Sequence, residues 1–259
     1  MTKALERKYV TSSFKHPSGL GNQLFRFAAL YGIGRDINRE PYYNASVVAQ
    51  MEEMKAISVG FPTIHDLLHI KNPDKTLVKP VNFTSICCSH ENLESRGDFI
   101  DAWMLESKKD FTIAGVKHIL KKLSRREKTT GIIFGEDTDF IRNLRLDRYL
   151  DSVAIFSNYS NDRVLDLCFA IEHCETLFMT ASASTFGWWM AYLKKNPGKV
   201  YLNAVTSDDG LSPKDKFDYD LFLPEWRRLL FNKKDRSIRE TDLWFFQRVG
   251  VTGKFGLTS

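Results

Sequence analysis

The chain has 259 residues, 43% hydrophobic and 27% charged, the balance of an ordinary globular protein with enough apolar material for one large domain or two compact halves. Its formal charge of +5 comes from lysines and arginines scattered along the sequence. No basic block offers a nucleic-acid arm, so no nucleic-acid partner is expected. A small anionic substrate suits the charge balance better.

In chain order, Tyr9-Val10-Thr11-Ser12-Ser13-Phe14 is β-branched and aromatic and reads as a strand. A turn follows at His16-Pro17-Ser18-Gly19. From Asn22 the apolar residues Leu24, Phe25, Phe27, Ala28, Tyr31 and Ile33 recur at helical spacing. Strand, glycine loop and helix therefore succeed one another. Residues 40–92 are less legible, because Pro41, Pro62, Pro73 and Pro80 interrupt every pattern.

The second half alternates regularly. Phe111, Ile113, Ala114, Val116, Ile119, Leu120 and Leu123 predict an amphipathic helix, which the basic cluster from Lys121 to Arg126 closes. Gly131–Gly135 and Val153–Phe156 read as buried strands, with a helix through Val164, Leu165, Leu167, Cys168 and Ile171 after them. A strand at Thr176–Met179, a helix at Phe186–Lys195 and a strand at Lys199–Leu202 complete the series. Such alternation predicts an α/β fold with a parallel sheet and crossover helices, whose ligands lie at the carboxyl ends of the strands.

Two loops fall at such places. Gly19-Leu20-Gly21-Asn22-Gln23 opens a helix whose first amides lack intrahelical partners and attract anions. A plain turn with a helix cap would look the same, and both readings stay open. The second loop is Thr180-Ala181-Ser182-Ala183-Ser184-Thr185, with Phe186-Gly187-Trp188-Trp189-Met190 behind it as an apolar wall. There too, Ser184 or Thr185 can simply cap the helix, and Trp188 and Trp189 read more readily as core than as a wall of a site. Asp137-Thr138-Asp139 resembles a metal-holding aspartate pair, although short acidic strings also cap helices. Arg96-Gly97-Asp98 offers a guanidinium suited to a pyrophosphate, or a simple salt bridge.

The four cysteines, with Cys87-Cys88 adjacent and Cys168 and Cys174 flanking a helical stretch, show no zinc spacing. The histidines form no ligand pattern either. Sequons at Asn44, Asn82 and Asn158 lean toward a luminal protein. The opening Met1 to Lys8 is not apolar in the manner of a signal or anchor, and the charge-free run from Thr176 to Leu193 carries too many hydroxyls for a membrane span. No membrane segment is expected in this chain.

With these residues in view, the chain resembles glycosyltransferase family 11, the α-1,2-fucosyltransferases, in a divergent invertebrate branch. The likeness rests on Gly19-Leu20-Gly21-Asn22-Gln23-Leu24-Phe25 and on Ser182-Ala183-Ser184-Thr185-Phe186-Gly187-Trp188-Trp189. Asp162 to Cys174 and Pro224-Glu225-Trp226 extend it over roughly residues 10–230. The resemblance implies a GT-B-type fold of two Rossmann-like halves facing a cleft. Residues 9–95 would form an acceptor-side half that lacks part of its length, 96–230 the donor-nucleotide half and 231–259 a tail.

It also implies inverting transfer of L-fucose from GDP-fucose to the 2-hydroxyl of a galactose-terminated glycan, with no cofactor and no obligatory metal, in the Golgi lumen or at its membrane, to which the family is anchored. By resemblance, Arg96 is the catalytic residue and neutralises the diphosphate. The donor contacts implied are Gly21, Asn22, Gln23, Arg96, Asp98, Ser182, Ser184, Thr185 and Phe186. One departure stands out. The family motif His-x-Arg-Arg-x-Asp is matched only by Arg96 and Asp98, while Leu93 and Ser95 occupy the His and first Arg positions. A missing stretch between about Asn92 and Arg96 explains this, and a catalytically impaired or non-catalytic member is the alternative reading. No general base is singled out among Asp98, Glu136, Asp137 and His16.

Overall fold

The computed structural model describes residues 7–14, 16, 18–79, 108–123, 128–156, 162–205 and 218–250. It is a mixed α/β chain that divides into two compact units, residues 1–82 with 162–168, and residues 83–161 with 169–259.

In the first unit β1 (Tyr9–Val10), β2 (Glu40–Asn44) and β3 (His69–Lys71) form a parallel sheet in that order. Parallel neighbours need long crossovers, supplied by α1 (Leu20–Asp36) and by α2 (Val48–Gly60) with the short α3 (Ile64–Leu67). β1 is shorter than the sequence predicts. Beyond it the Gln50 amide bridges the two strands instead, donating to the Ser12 carbonyl at 2.8 Å and accepting from the Asn44 amide at 2.5 Å. Pro41 is tolerated in the central strand because β3 joins only from Tyr42 onward.

α1 begins at Leu20 and ends in a Schellman closure. Asn38 takes a left-handed φ of 54°, its amide donates to the Arg35 carbonyl, and Arg39 reaches back to the Gly34 carbonyl at 2.7 Å. A Cβ on Gly34 would stand 2.7 Å from the Arg39 carbonyl oxygen, so only glycine admits this turn. The core of the unit holds Tyr43, Ile57 and Leu68, with Leu24, Leu30, Met54 and Ile64 around them. α6 (Arg163–His173) contributes its first turn, where Val164 packs against Gly60.

The second unit contains a parallel pair, β4 (Thr130–Ile133) with β5 (Ser152–Ile155), and a four-stranded sheet in the order β6 (Leu177–Met179), β7 (Val200–Asn203), β8 (Arg227–Asn232), β9 (Ser237–Thr241). The first three strands run parallel, and β9 returns antiparallel through a hairpin. One face carries Phe178, Tyr201 and Leu229 against Phe111 and Ile119 of α4 (Lys109–Lys122). Gly115 makes room there, since a Cβ would meet the Phe178 ring at 2.3 Å. Full burial of Leu229 stabilises the unit by about 1.5–3 kcal/mol. The opposite face turns Met179 toward Gly187 of α7 (Thr185–Leu193).

α5 (Thr138–Leu144) follows β4, α8 (Asp218–Leu221) precedes β8, and α9 (Phe245–Arg248) comes after β9. Asp218 is buried and accepts the Phe245 amide at 2.9 Å, while Arg248 donates to Asp218 and to the Ala204 carbonyl. Burial raises the Asp218 pKa, and the Phe245 amide and the nearby arginines pull it back. These bonds fasten Phe245 and Arg248 to Asp218 and to Ala204, at the carboxyl end of β7.

Candidate functional site

In the first unit the glycine loop lies where a parallel sheet hands the chain to a helix. Gly19 is the N-cap of α1 with φ −60° and ψ 153° and makes no side-chain cap. Its carbonyl takes the amides of Asn22 at 2.9 Å and Gln23 at 3.1 Å. Apart from its chain neighbours, no described atom lies within 4 Å of where a Cβ of Gly19 would stand. Gly21 and Gln23 are buried and Asn22 is half-buried. The Gln23 side-chain amide curls back to the Ser18 carbonyl at 2.5 Å, and its Oε1 has no hydrogen-bond partner among the described residues.

Beneath the loop lies a polar cluster that sequence reasoning missed. Glu53 on α2 is fully buried. Its two oxygens accept from the Tyr43 hydroxyl at 2.6 Å and from Nη1 of Arg26 at 2.6 Å. Nη2 of Arg26 donates to the Ser18 hydroxyl at 3.2 Å, and its guanidinium lies 3.7 Å from the centre of the Phe14 ring. Burial raises the Glu53 pKa, while the Tyr43 hydrogen bond and the Arg26 charge draw it down. Tyr43 itself is pushed far above the ordinary phenol range, first by burial and then by its bond to Glu53. A sequence signal existed. Ala49, Gln50, Glu53, Met54 and Ile57 form one buried helical stripe, and two polar residues on such a stripe must find partners inside the fold.

In the second unit, Ser182 to Phe186 lie at the carboxyl end of β6, as the alternation predicts. Ser182 is buried and its hydroxyl donates to the Asn203 carbonyl at 2.8 Å, tying the loop to β7. Ser184 is the N-cap of α7, its hydroxyl accepting from the Gly187 amide at 3.2 Å. Thr185 and Phe186 open the helix, half-buried. Behind them Trp188 donates through its indole to the Leu221 carbonyl at 2.5 Å. It stacks on Tyr192 at 4.8 Å and meets the buried Trp226 at 5.8 Å. Trp188 is thus tied into the packing between α7 and the 221–226 segment.

Asp137 caps α5, accepting the Phe140 amide at 2.8 Å, and Asp139 is exposed and faces Arg142. Among the described residues no group of three or more His, Cys, Asp or Glu is placed to hold a metal ion. Arg96 and Asp98, together with Leu93, Ser95 and Cys87-Cys88, lie outside the described residues. Cys168 is exposed and Cys174, whose pKa burial raises, is half-buried; both are free thiols. Among the described residues no helix is long and apolar enough to cross a membrane.

The chain is similar to known proteins named as glycosyltransferases, and these relatives support a fucosyltransferase family. A galactoside 2-alpha-L-fucosyltransferase of Caenorhabditis elegans is 28% identical over 139 residues, which is 52% of this chain and 38% of that protein. A second protein of that name and organism is 23% identical over 309 positions, covering 83% of this chain and 76% of the relative. An uncharacterized nematode protein, T25D10.1, is 30% identical over 132 residues, 48% of this chain and 39% of its own length. The 309-position alignment is longer than the chain's 259 residues, so it contains positions filled in the relative and vacant here. No family profile matches, and no solved structure does.

Proposed function

We propose that this chain is an α-1,2-fucosyltransferase of family 11, moving L-fucose with inversion from GDP-fucose to the 2-hydroxyl of a galactoside. The observation that carries the reading is the similarity to two proteins named galactoside 2-alpha-L-fucosyltransferase. The two helix-opening loops, at Gly19–Gln23 and Ser182–Phe186, stand where α/β folds hold ligands and give it a physical basis.

The glycosyl–phosphate bond breaks as the acceptor oxygen attacks C1 of fucose, and negative charge gathers on GDP. Fixed donors near the departing diphosphate stabilise that charge, and a base takes the proton of the attacking hydroxyl. Ser184, Thr185 and the amides of their loop are our candidates for the diphosphate, with Arg96 supplying the cation. Gly21, Asn22 and Gln23 face the donor sugar. The GT-B arrangement, the metal-free mechanism and a Golgi luminal setting belong to the same proposal. A non-catalytic member that keeps the fold and weak nucleotide binding is the second reading, favoured by Leu93 and Ser95 in the motif and by the vacant positions in the long alignment.

Calorimetry with GDP, followed by GDP release from GDP-fucose in the presence of lactose, separates the readings. Saturable GDP binding with acceptor-dependent release that persists in EDTA supports the enzyme. Binding without release supports the second reading, and neither would sink both.

A further inference from the structure

We propose that Glu53 and Arg26 are positioning residues for the loop that opens α1, acting through Ser18; this rests on the fucosyltransferase reading, because that reading makes the loop a ligand contact. All the geometry lies within the first unit. Arg26 sits on the second turn of α1 and divides its guanidinium between two tasks. Nη1 is committed to the buried Glu53 carboxylate at 2.6 Å, and Nη2 reaches the Ser18 hydroxyl at 3.2 Å. The Phe14 ring closes over the guanidinium at 3.7 Å.

Ser18 is thus held at two points, since its carbonyl also takes the Gln23 amide at 2.5 Å. It is the residue immediately before the N-cap Gly19, so its placement sets the course of the backbone into Gly21, Asn22 and Gln23. Glu53 supplies the fixed end of this chain of contacts. It has 0% side-chain exposure, and the Tyr43 hydroxyl on β2 immobilises its other oxygen at 2.6 Å. The strand, α2, α1 and the loop are therefore linked through one carboxylate and one guanidinium. An apolar pair would fill the same volume without reaching the loop, which gives the buried charge a purpose beyond packing.

Two variants isolate the contact. Arg26→Lys keeps a counter-charge for Glu53 but has no second fork for Ser18, and Ser18→Ala removes only the outer acceptor. In full-chain kinetics with GDP-fucose and lactose, each is expected to lower kcat/KM about tenfold, with the loss mostly in KM and the melting temperature close to wild type. The double variant should lose no more than either single one, because both cut the same bond. In parallel, amide hydrogen exchange over Gly19–Gln23 should quicken about tenfold in both variants while later turns of α1 keep wild-type rates.

Wild-type kinetics in both variants, or losses that multiply in the double variant, would overturn the proposal. Should the wild-type chain show no turnover, the fucosyltransferase reading falls and the exchange measurement alone decides the positioning role. Unchanged exchange then refutes it. If Arg26→Lys fails to fold, Ser18→Ala carries the same two readouts.

Discussion

Arg26→Met asks how much the first unit depends on its buried ion pair. The Glu53 side chain has 0% exposure and Arg26 21%, so removing the guanidinium leaves the carboxylate with the Tyr43 hydroxyl as its one partner among the described residues. Breaking one side of a buried pair costs about 3–5 kcal/mol, and the lost contact with Phe14 adds about 0.5–1 kcal/mol. For a chain of this size each kcal/mol moves the melting temperature by about 2–4 °C, so a fall of roughly 6–20 °C is expected from the pair alone.

The pH dependence gives a sharper test. Burial raises the Glu53 pKa above its ordinary 4.5, and Arg26 restrains the rise. Without Arg26 the folded-state pKa climbs further. A carboxyl with a raised folded pKa contributes stability that is complete below its unfolded pKa and lost as pH rises through the folded one. The deficit of Arg26→Met should therefore be smallest near pH 4.5 and larger at pH 7.5. Urea unfolding of both proteins at the two pH values measures it, provided the slopes agree. A wild-type midpoint at pH 7.5, or an equal deficit at both values, would refute the account of Glu53 as a paired buried charge.

Gly19→Ala should leave stability almost unchanged. The backbone at φ −60° suits alanine and, apart from its chain neighbours, no described atom lies within 4 Å of the added Cβ. The weaker cap costs under about 1 kcal/mol and the stiffer unfolded chain returns about 0.4–1 kcal/mol. If substrate approaches this backbone, GDP-fucose affinity measured by calorimetry falls at least about tenfold; unchanged affinity would remove the loop from the site. Ser184→Ala loses the bond to the Gly187 amide, about 1 kcal/mol and hence about 2–4 °C in melting temperature. GDP affinity should fall about tenfold as well, and a thermal shift without that fall would leave Ser184 as a cap only.

The elements of the second unit were largely legible. Its strands are runs of consecutive apolar residues and its helices carry a 3.6-residue stripe, so β4 to β7 with α4, α6 and α7 could be read from periodicity. The hairpin of β8 and β9 could not. Its residues are mostly polar, and β9 exists only because β8 offers an edge to pair with. Of the prolines that obscured residues 40–92, Pro62 and Pro73 lie between elements, and Pro41 sits in the first part of β2, which pairs with β1 and not with β3.

The glycine loop and the serine loop were visible by themselves, because their chemistry is local: small residues, hydroxyls and a helix start adjacent in the chain. What each hydroxyl does was not. Ser182 is bound to Asn203 and Ser184 to the cap of its own helix, assignments that depend on which strand lies alongside. Arg26, Tyr43 and Glu53 are individually unremarkable letters, separated by 17 and 10 positions along the chain. Only the crossing of α1, β2 and α2 brings them together, since a buried charge acquires meaning from the partners that the tertiary fold places within hydrogen-bonding distance. Sequence determined the alternation of strands and helices and the two loops that end strands; tertiary structure decided which polar groups are bound within the fold and which partners the buried ones meet.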